Sequence, residues 1–196
     1  VLSVPTISLH NVAVEVLSCV GRFDDFATVV GPKTGIRGCW CMAYRNSSLA
    51  GQERIKYMHP QCASQPGAGV LAYIDGQPAG WCSIAPRATY RRLTRSRTIP
   101  QIDDRDSWSA ICFVVRTDYR KRGLMHDLLD GAVSHARTHG AEVVEGYPAD
   151  AAGGRIDAIS GYVGTVALFE RHGFERILQT ESHSGHRPRW LMRRYL

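Results

Sequence analysis

No apolar run in the 196 residues approaches the ~18 that a membrane-spanning helix requires, because Pro5, His10, Asn11 and Glu15 interrupt the greasy N-terminal stretch. A water-soluble chain is expected. The chain opens at Val1 and has no basic leader followed by an apolar core and a cleavage site, so no secretory signal is expected. There is no fixed-period repeat, low-complexity tract or block of like charge, which excludes a solenoid or a disordered tail. With 44% hydrophobic and 21% charged residues the composition is globular, and the length suits one domain of the usual ~150 residues or slightly more.

Paired cysteines are also missing. Cys19, Cys39, Cys41, Cys62, Cys82 and Cys112 include one close pair and no second pair at zinc-ligand spacing, so no metal is expected. They read as reduced thiols of a cytoplasmic chain. Acidic residues are in short supply, 18 against 24 basic ones, giving a net charge of +6 that favours an anionic partner. Nucleic acid, a nucleotide cofactor and an acidic surface all satisfy that condition. The Walker phosphate loop is absent, and Gly67 to Ala72 matches the dinucleotide fingerprint only in letters, since it follows a loop and leads into a strand.

Apolar periodicity supplies the elements. Phe23 to Val30 has helical spacing with Asp24 and Asp25 early. Gly38 to Tyr44 reads as a strand, 48–58 as a helix, and 59–69, with its prolines and glycines, as a loop. Val70 to Ile74 and Gln77 to Ile84 flank Asp75-Gly76, which predicts a hairpin. The arginine-rich stretch 85–106 reads as a connection, and Trp108 to Val115 as a strand buried on both faces. Leu124, Leu128, Leu129, Ala132, Val133 and Ala136 then line one face of a long helix, closed by Gly140. Ala141 to Tyr147 predicts the next strand, a glycine-rich loop follows Pro148, Val163 to Arg171 predicts a helix, and Phe174 to Thr180 with Trp190 to Tyr195 predict a last strand pair. Strand, helix, strand over 108–147 is a βαβ unit; with hairpin strands on either side, the sheet is mixed and the class α/β or α+β.

One feature is electrostatically odd. Arg120, Lys121 and Arg122 stand with Gly123 at the N-terminal end of the long helix, where the dipole and the free amides already present positive potential. Three cations there are unfavourable unless an anion joins them, and a phosphate cradle of main-chain N–H groups is one reading. A solvated basic turn is the other.

The run Val115-Arg116-Thr117-Asp118-Tyr119-Arg120-Lys121-Arg122-Gly123-Leu124-Met125 resembles the acetyl-CoA motif of the GNAT N-acetyltransferase superfamily, Arg/Gln-x-x-Gly-x-Gly/Ala, with Met125 in place of the last small residue. The second block of that family is similar to Ala167-Leu168-Phe169-Glu170-Arg171-His172-Gly173-Phe174, and the likeness extends over roughly 70–195. It implies a single domain over 1–196 with a mixed, mostly antiparallel twisted sheet flanked by helices, its part up to about residue 69 forming much of the acceptor side. It also implies acetyl-CoA as cosubstrate, with the main chain of Phe113, Val114 and Val115 bonding the pantetheine arm. Arg120, Lys121, Arg122, Gly123, Leu124, Met125 and His126 would cover the pyrophosphate.

Family chemistry is direct attack of an amine on the thioester, with a base for the amine and an acid for the departing thiolate. The tyrosine that many members use as acid is replaced by Phe169, so either Tyr162 or Tyr147 takes that role or the thiolate leaves without a dedicated acid, which a thiol pKa of ~8.5 allows. Glu145 is the first candidate base and Asp150 the second. Cys112, in a buried strand, reads as a small hydrophobe rather than a nucleophile. Cys39 to Met42 read as core packing or as lining of an acceptor pocket, and Arg87, Arg91, Arg92, Arg95 and Arg97 as a solvated loop or as a guide for CoA or an acidic substrate. The reading is transfer of an acetyl group to a primary amine of a small molecule or peptide, with no nucleic acid or membrane partner and a homodimer left open. The competing readings are an acyl-CoA-binding sensor, suggested by Phe169, and a basic nucleic-acid-binding module.

Overall fold

The computed structural model describes residues 13–31, 38–151 and 162–196; the glycine-rich loop expected after Pro148 lies largely outside them. Seven strands form one sheet: β1 (Val14–Ser18), β2 (Gly69–Ile74), β3 (Gln77–Pro86), β4 (Ser107–Val115), β5 (Val143–Gly146), β6 (Glu175–Ser184) and β7 (Arg187–Tyr195), in the order β1-β2-β3-β4-β5-β7-β6. All neighbours run antiparallel except β4 and β5, which are joined by the crossover helix α4 (Leu124–Thr138). Helices α1 (Phe23–Val30), α2 (Gln52–Gln61), α3 (Arg91–Thr94) and α5 (Val166–Arg171) complete the described α-helices, and 3-10 turns lie at Arg87–Thr89 and Thr117–Tyr119. None of the described helices is long and apolar enough to cross a membrane.

Strand alternation divides the core between the two faces. Val70, Ala72, Cys82 and Ile84 pack with Leu124, Leu128, Leu129, Ala132 and Val133 of α4. On the opposite face Leu71, Tyr73 and Trp81 pack with Phe26, Val29, Trp40 and Met58. The predicted hairpin turn forms with Asp75 and Gly76 both at positive φ, 51° and 71°, the backbone that matches strand twist in a two-residue loop.

A bulge in β4 positions the site. Ser83 pairs with Cys112 and Ile84 with Ala110, so Ile111 is an extra residue. Trp108, Ala110 and then Phe113 face α4, while Ile111, Cys112 and Val114 face the other way. One inserted residue thus re-aims Phe113.

Several boundaries differ from the expectation. The strand expected over Gly38 to Tyr44 is a chain of turns in which Trp40 (φ 47°) and Cys41 (φ 57°) take left-handed conformations that no strand admits. The helix α2 starts later and runs through Pro60 to Gln61, into the stretch expected to be loop. The helix α5 starts at Val166 because the Thr165 hydroxyl accepts a hydrogen bond from the Leu168 amide at 3.1 Å. Strand β1 was not anticipated, since its half-exposed residues carry little pattern.

His135 of α4 is 9% exposed and lies edge-on to Trp108, 5.8 Å between ring centres. Burial first, and the neighbouring His139 second, lower its pKa from 6.5 to about 4. The neutral ring is therefore favoured in the fold. Its contribution is complete above pH 6.5 and is lost as pH falls toward 4. Chemical denaturation at pH 4.5 and pH 7.5 should show a loss of up to about 3 kcal/mol from this group, which His135→Gln removes. An identical pH slope in parent and variant would assign the acid sensitivity elsewhere.

Candidate active site

Pairing between β4 and β5 ends at Ala110 and Gly146, although β4 continues against β3 as far as Val115. The strands part beyond that point, and the end of β4 leads through a short turn into the N-terminus of α4. Gly123 caps α4 at φ 80°, and Lys121 two residues earlier stands at φ 62°. A Cβ on Gly123 would meet no atom within 4 Å, so the turn is open where the first-turn amides of α4 point. Around it is a cleft of ≈ 480 Å³. Of the ten residues expected to bind the cofactor, Phe113, Val115, Arg120, Lys121, Gly123, Leu124, Met125 and His126 border it.

The other two do not. Val114 turns its side chain into a cavity on the opposite face, and Arg122 is exposed, its guanidinium 5.6 Å from the centre of the Tyr119 ring. The expected main-chain contacts also need correction. The Phe113 amide donates to the Tyr162 carbonyl at 2.7 Å, and the Val115 carbonyl accepts from Arg120 Nε at 3.2 Å. Strand alternation turns the Val114 main chain toward β3.

The candidate catalytic residues are divided in the same way. Glu145 is fully buried: Oε1 accepts from Arg193 Nε (3.0 Å) and Nη2 (2.7 Å), and Oε2 accepts from the Tyr147 hydroxyl (2.6 Å) and lies 3.3 Å from Arg87 Nε. Two guanidiniums and a phenol surround a carboxylate that borders neither cavity, which removes it as a base for an incoming amine. Tyr147 is equally buried, and burial first, then the Glu145 charge, hold its phenol well above the ordinary value. Asp150 is held by Trp190 Nε1 at 3.2 Å and Arg176 Nη1 at 3.6 Å, away from both cavities. Tyr162, 43% exposed, is different: it borders both.

The second cavity, ≈ 1250 Å³, lies on the face away from α4, between the 38–48 turns, α3 and the β6–β7 hairpin. Cys39 and Cys41 contribute to it, as do Arg91, Arg92 and Arg95. Arg87, from the same basic run, instead pairs with Glu145. Cys112 borders the cavity too, but its thiol is pushed up by a hydrogen bond to Cys41 and by burial, unlike a nucleophile. A histidine chain was not foreseen: His126 Nδ1 lies 2.8 Å from His172 Nε2, whose Nδ1 lies 2.6 Å from Asp130. His126 and Asp130 come from the first half of α4 and His172 from the C-terminal end of α5, 46 positions beyond His126, a pairing that no local spacing signals.

Residues 39–174 match the acetyltransferase (GNAT) family. The chain belongs to that family. Membership makes it an acetyl-CoA-dependent acyltransferase. The fold is that of an acetyltransferase of the GNAT family from Streptococcus pneumoniae (15% identity, TM-score 0.55, 94% of this chain and 100% of that one). It is equally that of a mosquito arylalkylamine N-acetyltransferase-like protein (13%, TM-score 0.55, 94% and 100%). A Salmonella typhimurium putative acetyltransferase solved with acetyl-CoA shares it at 13% identity and TM-score 0.51, over 94% of both chains. No curated protein sequence matches the chain.

The residues of this GNAT protein fit the cosubstrate. An open left-handed turn, helix amides and the exposed Arg120 and Lys121 give a polyanion both room and charge. Among the described residues no cluster of His, Cys, Asp or Glu could hold a metal ion.

Proposed function

We propose that this protein moves the acetyl group of acetyl-CoA to a primary amine of a small molecule or peptide by direct attack. The observation that supports this most is the position of Tyr162, on the border of both cavities. Donor in the helix-end cleft and acceptor in the broad cavity would meet at its side chain. The N-terminal part of the chain serves as the acceptor side, since Val29 to Gly31 and Gly38 to Ser48 contribute one wall of the broad cavity.

In the proposed reaction the amine nitrogen forms a bond to the acetyl carbonyl carbon, the carbon–sulfur bond breaks, and the thiolate takes a proton from the Tyr162 hydroxyl, which solvent then reprotonates. The proton lost by the amine passes to solvent or to His183, the one imidazole among the described residues lining the broad cavity, none of which carries a carboxylate. A thiol pKa of roughly 8.5 makes this leaving group undemanding, so the acid contributes less than in most acyl transfers. A second reading, an acyl-CoA sensor without turnover, draws on Phe169, a fully buried ring with no proton to give.

Calorimetric titration with acetyl-CoA, followed by thiol release over a panel of amines, separates the two. Tyr162→Phe should retain acetyl-CoA binding and lower kcat about 10- to 100-fold. Binding without turnover on any amine would select the sensor, and an unchanged kcat would remove Tyr162 from the reaction.

A further inference from the structure

Arg189 of β7 lines the broad cavity and is 3% exposed. Its Nε donates to the Tyr147 carbonyl at 2.7 Å, its Nη1 to the Tyr44 hydroxyl, and its Nη2 has no partner. Both partners are neutral, and no described carboxylate forms an ion pair with it. A buried cation without a counter-ion is costly, and the fold avoids that cost elsewhere: Arg87 and Arg193 share Glu145. Arg45, the other buried guanidinium on this cavity, donates Nη2 to the Ala68 carbonyl at 2.8 Å and the Ser83 hydroxyl at 3.1 Å, again neutral partners, and its Nε has none. Arg189 and Arg45 thus each keep a buried N–H without a partner on this cavity.

The surroundings reinforce it. Arg91, Arg92 and Arg95 stand exposed along the rim, and no Asp or Glu is among the described lining residues. Such a cavity repels a second ammonium group on the acceptor and attracts an anion.

We propose that the acceptor amine carries an anionic group, a carboxylate or a phosphate, which Arg189 Nη2 binds within the broad cavity. The inference rests on the transfer reaction proposed above and narrows its substrate class.

The test compares amines matched in length but not in charge. γ-Aminobutyrate should exceed 1,4-diaminobutane in kcat/KM by about tenfold or more, and Arg189→Gln should collapse that ratio. O-Phosphoethanolamine against ethanolamine asks the same of phosphate, and the better anionic member of the two pairs names the group. Equal or better transfer to the uncharged and cationic amines would overturn the proposal while leaving the transfer reaction standing. Binding is read separately with glutarate, which has no amine. It should raise the melting temperature of the parent protein, neutral glutaramide should not, and Arg189→Gln should lose the shift. If no amine is acetylated yet glutarate binds in this way, the anion site stands and the transfer reading fails. The absence of any glutarate shift in the parent overturns the anion site even if Arg189→Gln does not fold.

Discussion

Glu145→Gln should destabilise the protein by about 3–5 kcal/mol, a fall in melting temperature of roughly 10 °C for a chain of this size. The carboxylate is the counter-charge of two buried guanidiniums. Arg193 keeps Asp103, at 2.5 and 3.1 Å, whereas Arg87 has no other acidic partner among the described residues and is left with the carbonyls of Leu93 and Ile99. Glutamine preserves the shape and removes the charge, so the loss measures an uncompensated Arg87 rather than a cavity. Combining it with Arg87→Met should recover much of the loss, since removing both members of a buried pair is far less costly than removing one. Urea denaturation of the parent, both single variants and the double variant reads the cycle. A Glu145→Gln protein as stable as the parent but slower by a hundredfold would return Glu145 to the chemistry and refute the structural assignment.

Gly146→Val should cost about 3 kcal/mol or more, because the side chain has nowhere to go. A Cβ at this position would lie 2.0 Å from Phe169 Cε1, 2.6 Å from its Cζ and 2.7 Å from its Cδ1. The phenyl ring cannot yield, since it is fully buried with Phe174 and Phe113 edge-on at 4.9 and 6.1 Å. Gly146→Val should therefore accumulate as unfolded or aggregated material, and Phe169→Leu in the same chain should restore soluble protein by vacating that volume. If Gly146→Val melts with the parent, the close approach of β5 and α5 is wrong. The same contact explains why residue 169 does not serve as an acid here: the ring is spent on packing where β5 leaves β4.

Much of this was legible in local pattern. The Asp75-Gly76 turn, the helix of Leu124 to Ala136 and the cations before it each depend on residues close together in the chain, and each stands where expected. Trp40 and Cys41 misled because apolar letters imply burial, which they have, but not extended backbone, which they lack. Glu145 misled for another reason. A strand carboxylate beside a cleft invites a catalytic reading until its neighbours are known, and Arg193 lies 48 positions away. Arg189 and Tyr44 are 145 positions apart, beyond any spacing argument, and the bulge at Ile111 leaves no trace in an unbroken apolar run.

The strand order has a consequence for the sequence of events during synthesis. β7 is the last of the described strands yet sits inside the sheet, between β5 and β6. A nascent chain can complete β1 to β4 and dock α4 on them from contacts already made, but β5 must wait with one edge open until the final hairpin arrives. During that interval Glu145 has Arg87 but not Arg193, and the growing sheet ends in an unpaired strand. Closure of the sheet, burial of Arg193 against Glu145 and Asp103, and delivery of Arg189 to the broad cavity are thus one late event, brought about by a single strand.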